Sequence, residues 1–242
     1  MGKGRALTRW PDLRAASYTY TLKKMQAFTE DRTPETPDVF WAVEHLPVFT
    51  LGVGGLESHI LDAGEIPVVR TDRGGQVTYH GPGQLVVYTL IDLNRRGLSV
   101  RDLVNQIETG VLNMLHSLGL ATAQRVPGAP GIYLPHPHRK EAHGKAQDGA
   151  FHLTERLTQT RKIASLGLKV RRGRCYHGVA LNLGLDHRPF EKINPCGYPG
   201  LQTTDVQAEG VALAWDTAAD MLIDHLLATL YPEDTAHHDR AL

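Results

Sequence analysis

The run LVVYTLIDL, residues 85–93, constrains the fold more than any other segment. Its apolar and β-branched side chains, with no glycine or proline among them, read as a strand, and a strand requires sheet partners. Several are legible. VFWAVEHLPVFTLG (39–52) reads as a buried strand interrupted at Pro47, and IPVVRT (66–71) as a short β-branched strand. KIASLGLKV and CYHGVALNL are two further runs joined by the basic turn RRGR, the pattern of a hairpin.

Helical periods lie between these strands. Ala15, Tyr18, Leu22, Met25 and Phe28 recur at three- and four-residue steps, which predicts an amphipathic helix over 12–30, broken by the prolines of DRTPETPD. Residues 99–118 predict a second helix. Ser99 can cap it, Leu103, Ile107, Val111 and Leu115 form its apolar stripe, and Gly119 ends it. A last amphipathic helix is expected over 211–230, with a frayed tail from Pro232. The stretch 135–161 is polar, His-rich and broken by Pro and Gly, and reads as a mobile insertion without a core pattern. Strands in groups with helices between them predict one α+β domain over 1–242, a mixed β-sheet flanked by helices.

Composition narrows the function. Lys plus Arg equals Asp plus Glu, 26 each, so nucleic acid is not the expected partner. No apolar stretch is long enough to span a bilayer. The start, MGKGRALTRWPDLR, has charge but no apolar run after it, so no secretory signal is expected. The two cysteines, Cys175 and Cys196, are too few for a disulfide framework and suit a reducing, cytoplasmic setting where a thiol is free to react.

Four features can carry chemistry. RGGQVTYHGPGQ (73–84) is glycine-dense without nucleotide-loop spacing, so it is either a backbone brought close to a ligand or two tight turns around a short strand. Cys196, in the turn-rich INPCGYPG, is a candidate nucleophile. Cys175 rivals it, because the cations of KVRRGR beside it can favour a thiolate. Lys162 enters an apolar strand, which is unusual, although a solvated strand end is the simpler account. Among the histidines, His45, His80 and His177 lie in or beside ordered segments. The group at His136, His138, His143 and His152 reads as a solvated loop, with no metal site expected. The basic turn at Lys169, Arg171, Arg172 and Arg174 reads as solvated, with docking of an acidic protein as its functional alternative.

In order along the chain, RGGQVTYHGPGQ, KIASLGLKV, YHGVALNL and INPCGYPG closely resemble the lipoyl(octanoyl) transferase family, over roughly residues 15–230. The resemblance implies the catalytic-domain fold shared with biotin protein ligases and lipoate–protein ligases. It implies an octanoyl group moved from octanoyl-acyl carrier protein to a lysine of lipoyl domains, on 2-oxoacid dehydrogenase E2 subunits and the glycine cleavage H protein. By position, it makes Cys196 the acyl-thioester residue and Lys162 the group that favours its thiolate. Substrate contacts are then expected from Arg73, Gly74, Gly75, Gln76, Val77, Thr78, Tyr79 and His80. More are expected from Ser165, Leu166 and Gly167, and from Gly178, Val179 and Ala180. No cofactor is implied, and a monomer is expected. Backbone N–H groups near Gly197 or in the glycine segment are the expected oxyanion donors. The chain departs from the family in the length of 135–161 and in carrying Cys175, which the family's mechanism does not use.

Overall fold

The structure, a computed structural model, describes residues 8–137 and 149–232, with side chains described from residue 14 and outside 149–152. In chain order the elements begin β1 (Thr8–Ala16), α1 (Tyr18–Asp31), β2 (Val39–His45), β3 (Val48–Leu51), β4 (Val68–Arg70), β5 (Val77–His80), β6 (Gln84–Asp92) and α2 (Leu93–Arg96). There follow α3 (Val100–Ser117), β7 (Gln124–Val126), β8 (Ala129–Pro135), α4 (Gly149–Thr158), β9 (Thr160–Arg171) and β10 (Arg174–Asn182). The series closes with α5 (Arg188–Glu191), β11 (Gln202–Thr203) and α6 (Trp215–Leu230).

Eight strands form one sheet in the order β1-β2-β6-β10-β9-β8-β7, with β11 beside β9. β1 runs parallel to β2 and β11 parallel to β9, while the other pairs are antiparallel, so the sheet is mixed as expected. A second sheet of three strands has the order β4-β3-β5.

β6 explains its own sequence. Its side chains alternate between two cores: Leu85, Val87 and Ile91 face α3 and α6, whereas Val86, Tyr88 and Leu90 face α1. A strand covered on both faces has no polar side, which is why the run is apolar nearly throughout, with Thr89 and the helix-capping Asp92 as its polar residues. α3 begins at a capping box in which Ser99 and Asp102 exchange hydrogen bonds, and its expected stripe is fully buried. The β9–β10 hairpin turns at Arg172 and Gly173, both left-handed at φ 52° and 75°, the conformation that tight two-residue hairpins require. Its cations are tied to α1: Arg171 and Arg172 each lie 3.1 Å from Glu30, and Arg174 donates to the Thr29 carbonyl.

Three expectations are corrected. The helix expected over 12–30 starts at Tyr18, after the Ser17 cap, because residues 8–16 pair with β2 instead. The strand expected over 39–52 is two strands in two sheets, divided around Pro47. Part of 135–161 is regular: residues 149–158 are α4, Leu157 packs against Val126, Ala129, Tyr133 and Leu201, and residues 160 and 161 already belong to β9. His138 and His143, and the tail after residue 232, lie outside the described residues. Among the described residues no helix is long and apolar enough to cross a membrane.

Candidate active site

The floor of the site is the β9–β10 ladder. Ser165 pairs with Ala180, Leu166 with Val179 and Gly167 with Gly178. The roof is the glycine segment, whose Gly74 N–H donates to the Leu168 carbonyl at 2.9 Å. A Cβ at position 167 would lie 3.1 Å from both Gly74 O and Arg73 Cδ, so a glycine there lets the roof rest on the strand. Arg73 braces this roof. Its guanidinium donates to Thr50 O at 2.7 Å, to Thr50 Oγ1, to Gln76 O at 2.8 Å and to Gly74 O at 2.9 Å. Most of its hydrogen-bonding capacity is thus spent on the protein, and it binds β3 to the loop.

Cys196 occupies a short turn, Pro195–Gly197, with a left-handed backbone at φ 57°. That conformation is uncommon for a residue with a Cβ and recurs where a fold holds a side chain in place for function. The surrounding contacts hold it. Asn194 N donates to His59 O at 2.8 Å, Gly197 N to Asn194 O at 2.9 Å and Tyr198 N to Pro195 O at 3.0 Å. Gly197 N–H therefore already has an acceptor, which removes it from the expected oxyanion donors.

Lys162 is not at a solvated strand end. It is 4% exposed, and its Nζ donates to Pro130 O at 2.9 Å and to Cys196 Sγ at 3.1 Å. Nζ also stands 5.0 Å above the Tyr133 ring, a cation–π arrangement. Burial pulls the Lys162 pKa down, but Cys196 and the Tyr133 phenol outweigh it, and the net shift is upward.

Cys196 and Lys162 open onto a cavity of about 430 Å³, lined by the roof, the floor and the valines of α3 at 100 and 104. That size falls in the usual range for small-molecule sites, about 300–1,000 Å³.

The family model described as the lipoyl protein ligase A/B catalytic domain matches residues 17–227. An octanoyltransferase of Variovorax paradoxus (strain S110) is 50% identical over 224 residues, which is 91% of this chain and 96% of that one. The chain belongs to the octanoyltransferase family. Family membership makes it an acyltransferase, an enzyme of octanoyl or lipoyl transfer. The expected fold is also found. A bipartite lipoate protein ligase of Thermoplasma acidophilum, solved in a study with its E2 lipoyl domain, superposes at a TM-score of 0.69 with 15% identity, over 94% of this chain and 85% of that one. A biotin protein ligase of Aquifex aeolicus superposes at 0.51 with 7% identity, over 94% and 71%.

Of the residues that the family resemblance marks, all but Tyr79 line the cavity. The Tyr79 ring turns away, 5.7 Å from Phe49 and 5.6 Å from Phe190, in the core of the small sheet. Cys175 is excluded as a rival nucleophile. It is fully buried in the core under α3 and α6, and burial pushes its thiol up to about 12, against any help from the cationic turn.

The histidines divide. His80 and His177 line the cavity, and His45 stands behind them. His80 Nδ1 bonds Gln84 Oε1 at 2.7 Å, His177 Nε2 bonds Asp72 Oδ1 at 2.8 Å, and His45 Nε2 bonds Tyr88 Oη at 2.6 Å. Burial lowers His45 to about 4 and His80 to about 3, so both are neutral at pH 7. Four tyrosines of the lining, Tyr18, Tyr88, Tyr133 and Tyr198, escaped the sequence reading. Tyr18, Tyr88 and Tyr133 sit at buried core positions that no local pattern marks, whereas Tyr198 lies half-buried two residues after Cys196, inside the INPCGYPG motif.

Proposed function

We propose that this protein moves an octanoyl group from octanoyl-acyl carrier protein to the target lysine of a lipoyl domain through a thioester on Cys196. The observation that carries this reading is the Lys162 Nζ to Cys196 Sγ contact of 3.1 Å at the wall of the cavity. Thiolate is the nucleophilic form of cysteine, and a buried ammonium beside the sulfur favours it.

The Cys196 sulfur attacks the donor thioester carbon. A new C–S bond forms, the carrier's C–S bond breaks, and the carrier leaves as a thiol once protonated. One thioester replaces another, so the step is nearly balanced and needs no ATP. An acceptor amine then attacks the acyl-Cys196 carbon, the C–S bond breaks, and a C–N bond forms. With the thiolate charge gone, Lys162 is left buried beside a neutral thioester; it gives a proton to the departing carrier thiolate and, now neutral, takes the proton that the amine sheds. Splitting the transfer lets the two protein partners visit in turn.

Intact-mass analysis after incubation with octanoyl-carrier protein tests this reading. Wild type should gain one octanoyl group and Cys196→Ser none. Lipoylation by Cys196→Ala with ATP and free acid would replace it with adenylate chemistry, which needs no thiol.

A further inference from the structure

We propose that Glu108 is a positioning residue that holds Lys162 against Cys196 through the Pro130–Gly131 peptide. The inference rests on the reading of Cys196 and Lys162 as the reacting pair. Glu108 lies on α3 beside Ile107 and is buried, an expensive place for a carboxylate unless its oxygens are well used. Its Oε1 accepts the Gly131 N–H at 2.8 Å, and its Oε2 accepts Arg125 Nε at 2.9 Å. The Glu108 side chain is 8% exposed and that of Arg125 40%, so the pair is drawn inward, toward Gly131, not outward to water.

The Gly131 N–H belongs to the same peptide group as the Pro130 C=O, which accepts Lys162 Nζ at 2.9 Å. The bond is trans, so its N–H and C=O point in opposite directions. Glu108 grips one side and Lys162 the other. A charged acceptor on the N–H fixes the plane and makes the carbonyl a stronger acceptor for the ammonium. Position 131 admits only glycine: its φ is +127°, and a Cβ there would stand 2.6 Å from Lys162 Cε and from Ala164 O. The ammonium is thus suspended between a peptide backed by a carboxylate and the sulfur of Cys196. The other groups that face this centre are the phenols of Tyr133 and Tyr198 and the guanidinium of Arg73.

A role in packing alone and a role through Lys162 make different predictions. Glu108→Gln keeps an acceptor for Gly131 but loses the charge, so the ammonium is held less well and thiolate forms at higher pH. Arg125→Gln leaves the Glu108 charge unscreened and acts with the opposite sign. The measurement is the rate of iodoacetamide alkylation of Cys196 in the full chain across pH, with peptide mapping. Glu108→Gln should move the profile up by about half to one pH unit, because loosening the ammonium that touches the sulfur outweighs the direct field of a carboxylate that stands farther off, behind the Pro130–Gly131 peptide. At pH 7 its rate should fall about three- to tenfold by the same measure. Arg125→Gln should move the profile down. An unmoved profile in Glu108→Gln, or an upward shift in Arg125→Gln, overturns the proposal. If Glu108→Gln does not fold, Arg125→Gln decides alone, since its side chain is partly exposed. Failure of wild type to form an octanoyl adduct would count against the thioester reading and not against Glu108, which the alkylation profiles judge separately.

Discussion

Lys162 and Cys196 come from strand β9 and from the turn at 195–197, which lie 34 residues apart, yet Nζ and Sγ meet at 3.1 Å. Strand β9 fixes the lysine. The left-handed turn, tied to the segment around His59, fixes the thiol. The contact needs both supports, so its chemistry can be tested from either side.

Lys162→Met should slow acyl-enzyme formation by about 10²- to 10⁴-fold, the usual span for a positioned acid–base group. Lys162→Arg should recover acyl-enzyme formation better than amide formation, because arginine keeps the charge but cannot accept a proton at pH 7. Single-turnover assays of the two half-reactions check this. Equal recovery of both steps would count against a base role for Lys162.

Cys196 should be alkylated in the native protein while Cys175 is spared, since Cys175 is buried and its thiol is held near 12. Unfolding in guanidinium should make both react. Native labelling of Cys175 at a comparable rate would mean that the core under α3 opens far more readily than its packing implies.

His45 and His80 set a pH limit on stability. Their native pKa values of about 4 and 3 lie below the ordinary 6.5 of the unfolded chain. Between those values the unfolded state binds more protons, so stability rises with pH there. The contribution is full above pH 6.5 and is lost as pH falls toward 4 and 3. The melting temperature should therefore drop on acidification through this window, and His80→Gln should make the drop shallower. A variant as steep as wild type would place the acid sensitivity elsewhere.

What could be read from the sequence follows from the range of the forces involved. β6, α3 and the β9–β10 turn announce themselves because a continuous apolar, β-branched run, a heptad-like stripe with a cap, and a left-handed turn are local properties. Strand β1 did not, because its partner β2 overrides a weak helical period in residues 12–16. Helix α4 did not, because among its described side chains Leu153 and Leu157 are the ones that reach the core. Cys196, Lys162 and the glycine roof were legible through motifs, whereas Glu108 and the lining tyrosines act through contacts made only in three dimensions.

Because α4 packs, deletion of 136–158 is not neutral. Leu157→Ala alone should cost about 2–5 kcal/mol, as for other fully buried leucines. The same cluster holds Tyr133 and touches Cys196 and Tyr198, so the variant should also slow acylation. Urea melts combined with a single-turnover assay check both effects. Unchanged stability would show that α4 rests on the domain without supporting it.

Gly167→Val should cripple acylation and, as overpacking does, cost about 1–3 kcal/mol of stability. The added side chain would press on Gly74 O and Arg73 Cδ, lifting the roof or filling the cavity, while strand β9 itself favours valine. Melting temperature and acylation rate, measured together, separate the two effects. A Gly167→Val protein with wild-type acylation would mean that the acyl chain does not pass beneath the roof.

Chain length should be chosen by a closed cavity end. Lys162 and the Leu168–His177 pair both border the cavity and are six residues apart on β9, which spans at most roughly 20 Å at about 3.3 Å per residue. Within it each buried methylene gains about 0.8 kcal/mol, so an open groove would favour ever longer chains. Two added carbons would gain roughly 1.6 kcal/mol, about fifteenfold, by the same measure. A preference for eight carbons therefore requires packed side chains that refuse the next methylenes. Val77, fully buried, and Leu166, half-buried, are two of the aliphatic groups that line the cavity and are our candidates for that end. Rates with carrier-bound chains of six, eight, ten and twelve carbons should pass through a maximum, and Val77→Ala or Leu166→Ala should move it toward longer chains. A monotonic rise to twelve carbons in the wild type would mean an open groove, and octanoyl would then be set by the supply of donor, not by this protein.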